Sequence, residues 1–119
     1  MIVGYVRDRL PRVSLPLPGL EGTVHVEFIL DTGFDGELCL PTHLLDGLDA
    51  AYVNTNQVRL ADGSRREQDY FRLYMDWFGE EREIEVIATR GLPLLGNQLL
   101  EGCSINIDMR DGGEVTIEF

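Results

Sequence analysis

The sequence predicts an all-β domain, and three observations predict it. Gly, Pro and Asp-Gly punctuation recurs along the whole chain, the apolar runs between are short and rich in Val, Ile, Leu and aromatics, and helix signals are scarce. At 119 residues, 1–119 reads as one domain, long enough for a core but too short for two lobes.

Three strand-like runs open the chain: Ile2–Val6, Arg12–Leu17 and Thr23–Leu30. Glu37–Leu40 is the fourth. Thr42–Leu48 then reads as a short helix, because Thr42 is a capping residue and Leu44, Leu45 and Leu48 share one face. Val53–Leu60 and Arg65–Trp77 flank Asp62-Gly63, and Arg65–Trp77 and Arg82–Ala88 flank Phe78-Gly79. Asp-Gly is a strong hairpin signal, since both central positions tolerate positive φ. A helical turn is expected at Asn97–Glu101, then strands at Cys103–Ile107 and Glu114–Phe119, with Gly112-Gly113 marking the turn between.

Charge narrows the range of partners. Against 10 basic side chains stand 21 acidic ones, a formal net charge of -11, which repels phosphate backbones and anionic bilayer surfaces. Neither nucleic acid nor membrane is an expected partner. The N-terminal MIVGYVRDRLPR lacks an apolar signal core and no run is long enough to span a bilayer, so the expectation is a cytoplasmic protein with Cys39 and Cys103 as free, buried thiols.

The segment ILDTGFDGELCLP carries the chemistry. A strand that delivers Asp31 into a tight turn at Gly33 holds one carboxylate rigidly, and Gly33 lets another backbone approach where a Cβ would collide. Hydrolysis by general acid–base catalysis needs one carboxylate charged and a second neutral, and the chain has a single such motif. A homodimer would complete the pair. Taken alone, Asp31-Thr32-Gly33 also fits an ordinary strand exit in which Asp satisfies nearby backbone N–H groups. Its context is more informative: Phe28-Ile29-Leu30 precedes it, Leu38-Cys39-Leu40-Pro41 follows, and Leu94-Leu95-Gly96-Asn97-Gln98-Leu99-Leu100 lies beyond an intervening hairpin.

From about Val24 to Ile107 this order resembles the retropepsin-like aspartic proteases, in particular the small prokaryotic branch with DTGF-x-G-x-L-x-LP and LLG-x-x-LL segments. The resemblance implies the single lobe of an acid protease, a closed barrel-like sheet with one or two short helices. It also implies a homodimeric endopeptidase with a peptide or protein substrate and no cofactor or metal. Asp31 would be catalytic, Thr32 would hydrogen-bond across the two-fold axis, and Gly33 would permit close approach of the two loops. Leu94-Leu95-Gly96 would thread behind the active-site loop, and Leu60-Ala61-Asp62-Gly63-Ser64 would be the tip of a flap, with Ala61, Asp62 and Gly63 over substrate. Asp35 would bind the substrate main chain and Phe34 would border a pocket.

Three departures from viral retropepsins stand out. Phe34 replaces a small residue and would narrow that pocket. Gly96-Asn97-Gln98 lacks the Arg that would pair with Asp35. Asp108–Phe119 extends past the final strand of a viral chain and has room for one more. The first two features favour a rival reading, a catalytically silent module that uses the same groove or dimer interface to bind peptides. Other chemistries fit worse. A calcium loop fails because Gly33 stands at its third position and Thr42 at its twelfth, where a Glu is needed. His25, Cys39, His43 and Cys103 lack zinc-site spacing, and no serine-hydrolase elbow, phosphate loop or dinucleotide fingerprint is present.

Overall fold

Burial alternates along the central strands, as a strand with one face on a core requires. Val13, Leu15 and Leu17 are buried while Ser14 and Pro16 are exposed; Leu73, Met75 and Trp77 are buried while Tyr74 and Asp76 are not. A computed structural model describes all residues, Met1–Phe119. Its strands are β1 (Ile2–Arg7), β2 (Leu10–Gly19), β3 (Gly22–Asp31), β4 (Leu38–Pro41), β5 (Ala51–Arg59), β6 (Arg65–Trp77), β7 (Glu80–Thr89), β8 (Leu94–Gly96), β9 (Ser104–Ile107) and β10 (Glu114–Glu118). Two single-turn helices, α1 (Thr42–Leu45) and α2 (Asn97–Leu100), follow β4 and β8.

All ten strands form one sheet in the order β5-β6-β7-β4-β8-β3-β2-β1-β10-β9. The closed barrel expected from the sequence is not formed, because β5 and β9 are left as two free edges. The sheet instead folds over on itself, so that β2 packs against β6 and residues from nearly every strand share one apolar core. Phe28, Leu38, Leu40, Leu73, Ile84, Leu95 and Leu99 are fully buried there.

Turn chemistry sets the registers. Phe78 (φ 52°) and Gly79 (φ 87°) both take positive φ between β6 and β7, the two-residue turn expected there. Asp8 (φ 52°) and Arg9 (φ 63°) do the same between β1 and β2 without any glycine. At the β5–β6 turn the expected hairpin forms, but only Gly63 is left-handed (φ 87°), and the chain turns over five residues, Leu60–Ser64. Backbone bonds between Leu60 and Ser64 close this turn, and the Asp62 carboxylate accepts the Ser64 N–H. The expected Thr42 cap is likewise displaced. Pro41 occupies the N-cap, no side chain caps the helix, and α1 stops at Leu45, with looser turns carrying on to Leu48. Leu45 and Leu48 still reach the core together.

Candidate functional site

Strand β8 is only three residues long, yet it organises the site. It lies between β3 and β4, parallel to β3 (Ile29 opposite Leu94, Leu30 opposite Leu95, Asp31 opposite Gly96) and antiparallel to β4. The loop that joins β3 to β4, Thr32–Glu37, must therefore arch over the end of β8. Bonds to residues far along the chain hold it there: Asn97 N–H to the Phe34 carbonyl (2.9 Å), Gly96 N–H to the Glu37 carbonyl (2.9 Å) and Gln98 N–H to the Gly36 carbonyl (3.1 Å), with the Asn97 side chain donating to the Thr32 carbonyl (3.1 Å).

Asp31, at the end of β3, is partly exposed, and one of its carboxylate oxygens accepts the Gly33 N–H at 3.0 Å. Thr32, Gly33 and Asp35 are exposed beside it. Gly33 makes no close backbone approach within the chain: a Cβ there would meet nothing nearer than the Asp31 carboxylate at 3.4 Å. The crowded glycines are Gly36 and Gly96. A Cβ on Gly36 would collide with the Phe34 ring, and one on Gly96 with that ring and with the Gly36 carbonyl. Phe34 thus lies across its own loop, filling the space that two missing side chains leave.

Sequence reasoning missed two features. The first is Gln98, whose side-chain amide donates to the Asp35 carboxylate at 3.1 Å. The second is an apolar row outside the main core. Ile29, Leu94, Cys39 and Ile87 stand side by side across β3, β8, β4 and β7, and Ile29, Cys39 and Ile87 are each buried. Strand alternation puts Asp31 on the same face as this row, two residues beyond Ile29. The signal was in the sequence: Ile29-Leu30, Leu38-Cys39-Leu40, Val86-Ile87 and Leu94-Leu95 are apolar at consecutive positions, the pattern of strands covered on both faces. Burial, and secondarily the charge of Asp31, pushes the Cys39 thiol up to about 11, so it is neutral at ordinary pH and no nucleophile. Neither cysteine is in a disulfide.

The β5–β6 hairpin lies beyond β7 at one edge of the sheet. From Ala51 to Gln57 every β5 residue is exposed, so the hairpin stands off the body. A cavity of about 720 Å³ at its root is lined by Glu37, Asn54, Asn56, Tyr70, Arg72 and Glu85. Glu37, at the exit of the Asp31 loop, is clamped by Arg82 (2.9 Å) and by the Glu85 N–H (2.9 Å). A second hollow of about 530 Å³, between Gln68 and Asp69 of β6 and Ile87 and Thr89 of β7, reaches the apolar row. Neither hollow is lined by Asp31, Thr32 or Gly33, nor by Ala61, Asp62 or Gly63 at the hairpin tip. The tip's hydrogen bonds are internal: Leu60 with Ser64, Gly63 with Leu60, and Ser64 N–H and hydroxyl to Asp62. Those two bonds hold the Asp62 carboxyl below its ordinary range, the hydroxyl bond foremost.

No helix is long and apolar enough to cross a membrane. Comparison with known proteins returns no match, whether to a family model, a curated protein or a solved structure.

Proposed function

We propose that this chain is a homodimeric aspartic endopeptidase of retropepsin type, each subunit contributing one Asp31. The observation that carries the reading is the rigid presentation of a single carboxylate. Asp31 ends a strand backed by β8, its loop is tied down by residues 96–98, and it shares a face with an apolar row beside a projecting hairpin. A lone carboxylate held so firmly has no partner of opposite protonation state within its own chain, and a second copy supplies one.

Two carboxylates at hydrogen-bonding distance cannot both ionise cheaply, so the pair shares a proton and titrates as a unit. The charged member takes a proton from a water that attacks the scissile carbonyl, and the neutral member protonates the developing oxyanion and later the departing amine. An extended peptide would lie between the hairpin and the apolar row by strand-like hydrogen bonding. Gln98 on Asp35 and the packing of Phe34 onto Gly36 and Gly96 weaken the two arguments for a silent binding module.

The test is cleavage of a broad peptide library across acidic and neutral pH by wild type and Asp31→Asn. Wild type should cleave with a bell-shaped pH profile, and the variant should lose on the order of 10²–10⁴-fold in turnover, the scale of a general acid–base group. Undiminished activity in Asp31→Asn would end the reading.

A further inference from the structure

We propose that the hollow beside Trp77 binds a neutral apolar ligand whose carbonyl oxygen accepts a hydrogen bond from the indole N–H. The site stands apart from the peptidase reading, because no residue of the Asp31 loop or of the hairpin tip lines it.

Trp77 ends β6, near where the sheet folds over and β6 packs against β2. Its side chain is only 5% exposed, and its Nε1 is sealed from solvent with no hydrogen-bond partner in the chain. A buried indole N–H normally finds an acceptor, and leaving it without one is costly. The edge-to-face contact with Phe78 (ring centroids 4.9 Å apart, 82° between planes) gives an indole edge at most a weak N–H···π contact. A carbonyl oxygen brought by a ligand would satisfy the group fully.

Space for that ligand lies on both sides of the Trp77-Phe78 pair. A hollow of about 360 Å³ opens between Val3 of β1, Ser14 and Pro16 of β2, and Trp77, a volume suited to a small molecule. A second, of about 240 Å³, runs from Trp77 and Phe78 to Phe119, whose ring tilts against Phe78 at 5.9 Å. The rim is apolar, with Met1, Val3 and Phe119 all exposed. Phe78 itself holds φ 52°, a left-handed conformation that a bulky residue rarely takes and that Asn or Gly takes readily. The strained turn thus sets an aromatic ring between the two hollows. Because Nε1 is sealed, a ligand oxygen reaches it only as lining side chains give way, and the unbranched, exposed Met1 is the most adaptable of them.

Charge sets the class of ligand. Asp76 borders the larger hollow, and Glu80 and Glu81 border the smaller, where Arg82 is engaged by Glu37 at 2.9 Å. In a chain of net charge -11 this fringe repels a carboxylate or a phosphate. An uncharged oxygen on a ring-sized apolar body meets no such repulsion.

Trp77 is the chain's single tryptophan, so one indole N–H resonance reports on the site. Three probes are titrated: acetophenone, ethylbenzene as the same ring without an acceptor, and benzoate as the anion. Acetophenone should bind saturably and move the indole proton downfield. Ethylbenzene should bind roughly five- to tenfold more weakly without that shift, and benzoate more weakly than acetophenone. Ser14 is an exposed wall of the larger hollow, so Ser14→Phe fills the space from the surface and should abolish binding while circular dichroism shows an intact fold. Trp77→Phe keeps a ring in place and should erase the preference for acetophenone over ethylbenzene. The proposal is overturned by absence of saturable acetophenone binding, by an indole resonance that does not move at saturation, by equal affinity for the two neutral probes, by tighter binding of benzoate, or by full binding in Ser14→Phe. If no probe binds and Val3→Lys lowers self-association in sedimentation, the patch is a contact between copies of the chain and the small-ligand site falls.

Discussion

The Asp31 loop and the Asp62 turn are built from the same local device. In each, an Asp carboxylate accepts the N–H two residues on, Gly33 at 3.0 Å and Ser64 at 2.9 Å, and a glycine stands nearby. Beyond that they diverge. The Asp31 loop receives donors from Gly96, Asn97 and Gln98, far along the chain, and packs Phe34 over two crowded glycines. The Asp62 turn bonds only to itself and is exposed throughout. Local chemistry makes an Asp turn; residues far along the chain decide whether it is rigid. In the proposed dimer, a carboxylate that meets its twin in fixed geometry would need the first situation, and a hairpin that closes over a peptide would need the second.

The comparison breaks most sharply at the glycines. Gly96→Ala puts a methyl group on the Gly36 carbonyl and the Phe34 ring, so the loop or β8 must move. The expected cost is about 3 kcal/mol of global stability, the upper end for overpacking a tight site, read as a shift of the denaturant midpoint. Gly63→Ala meets open space and pays only for its left-handed φ of 87°, roughly 1–2 kcal/mol. Because the tip bonds only to itself, that loss should appear as local amide exchange at 60–64 with the global midpoint unmoved. Equal midpoint shifts in the two variants would show that the two turns are tied to the body alike.

A smaller effect is expected at Gln98. Gln98→Leu removes the donor to Asp35 from an exposed bond, which should cost about 0.5–1 kcal/mol of stability. If Asp35 holds the substrate main chain, KM for an extended peptide rises while kcat is kept. A fall in kcat at constant KM would move Gln98 from substrate positioning to support of Asp31.

The strands and most turns were legible because their signals are local: short apolar runs bounded by glycine, and Phe78-Gly79 between two of them. The additional strand expected in Asp108–Phe119 is β10. What escaped depended on partners far apart in sequence. Leu94-Leu95-Gly96 was expected as a strand through the resemblance alone, since it is too short to declare itself by pattern, and its pairing with two longer strands was not legible. Phe34 looked like an obstruction from its size, but its orientation is set by the absence of side chains at Gly36 and Gly96. Gln98 bonds Asp35 only because the loop brings that carboxylate within reach of its amide. The open sheet also lay beyond pattern reading, since whether β5 or β9 finds a partner is decided by how the whole sheet coils.

The smallest expected effect lies at the hairpin tip, where Ser64 is the main influence on the Asp62 carboxyl. Both bonds from Ser64 favour the ionised carboxylate, so the folded value sits below the ordinary one. The sign follows: the ordering this gives the turn is fully present above the ordinary carboxylate range and is lost as pH falls through the depressed value. Ser64→Ala deletes the hydroxyl bond, the larger of the two, and keeps the backbone N–H. The Asp62 midpoint, followed by carboxyl carbon chemical shift, should therefore rise part of the way toward its ordinary value, while the global denaturant midpoint stays where it was. A second measurement joins the two regions. If the hairpin closes over a bound peptide, an inhibitor complex should slow amide exchange at 60–64 in wild type and Ser64→Ala alike, because closure adds partners that the free turn lacks. Exchange at the tip that ignores an inhibitor bound at Asp31 would mean that the hairpin is a surface feature and takes no part in holding substrate.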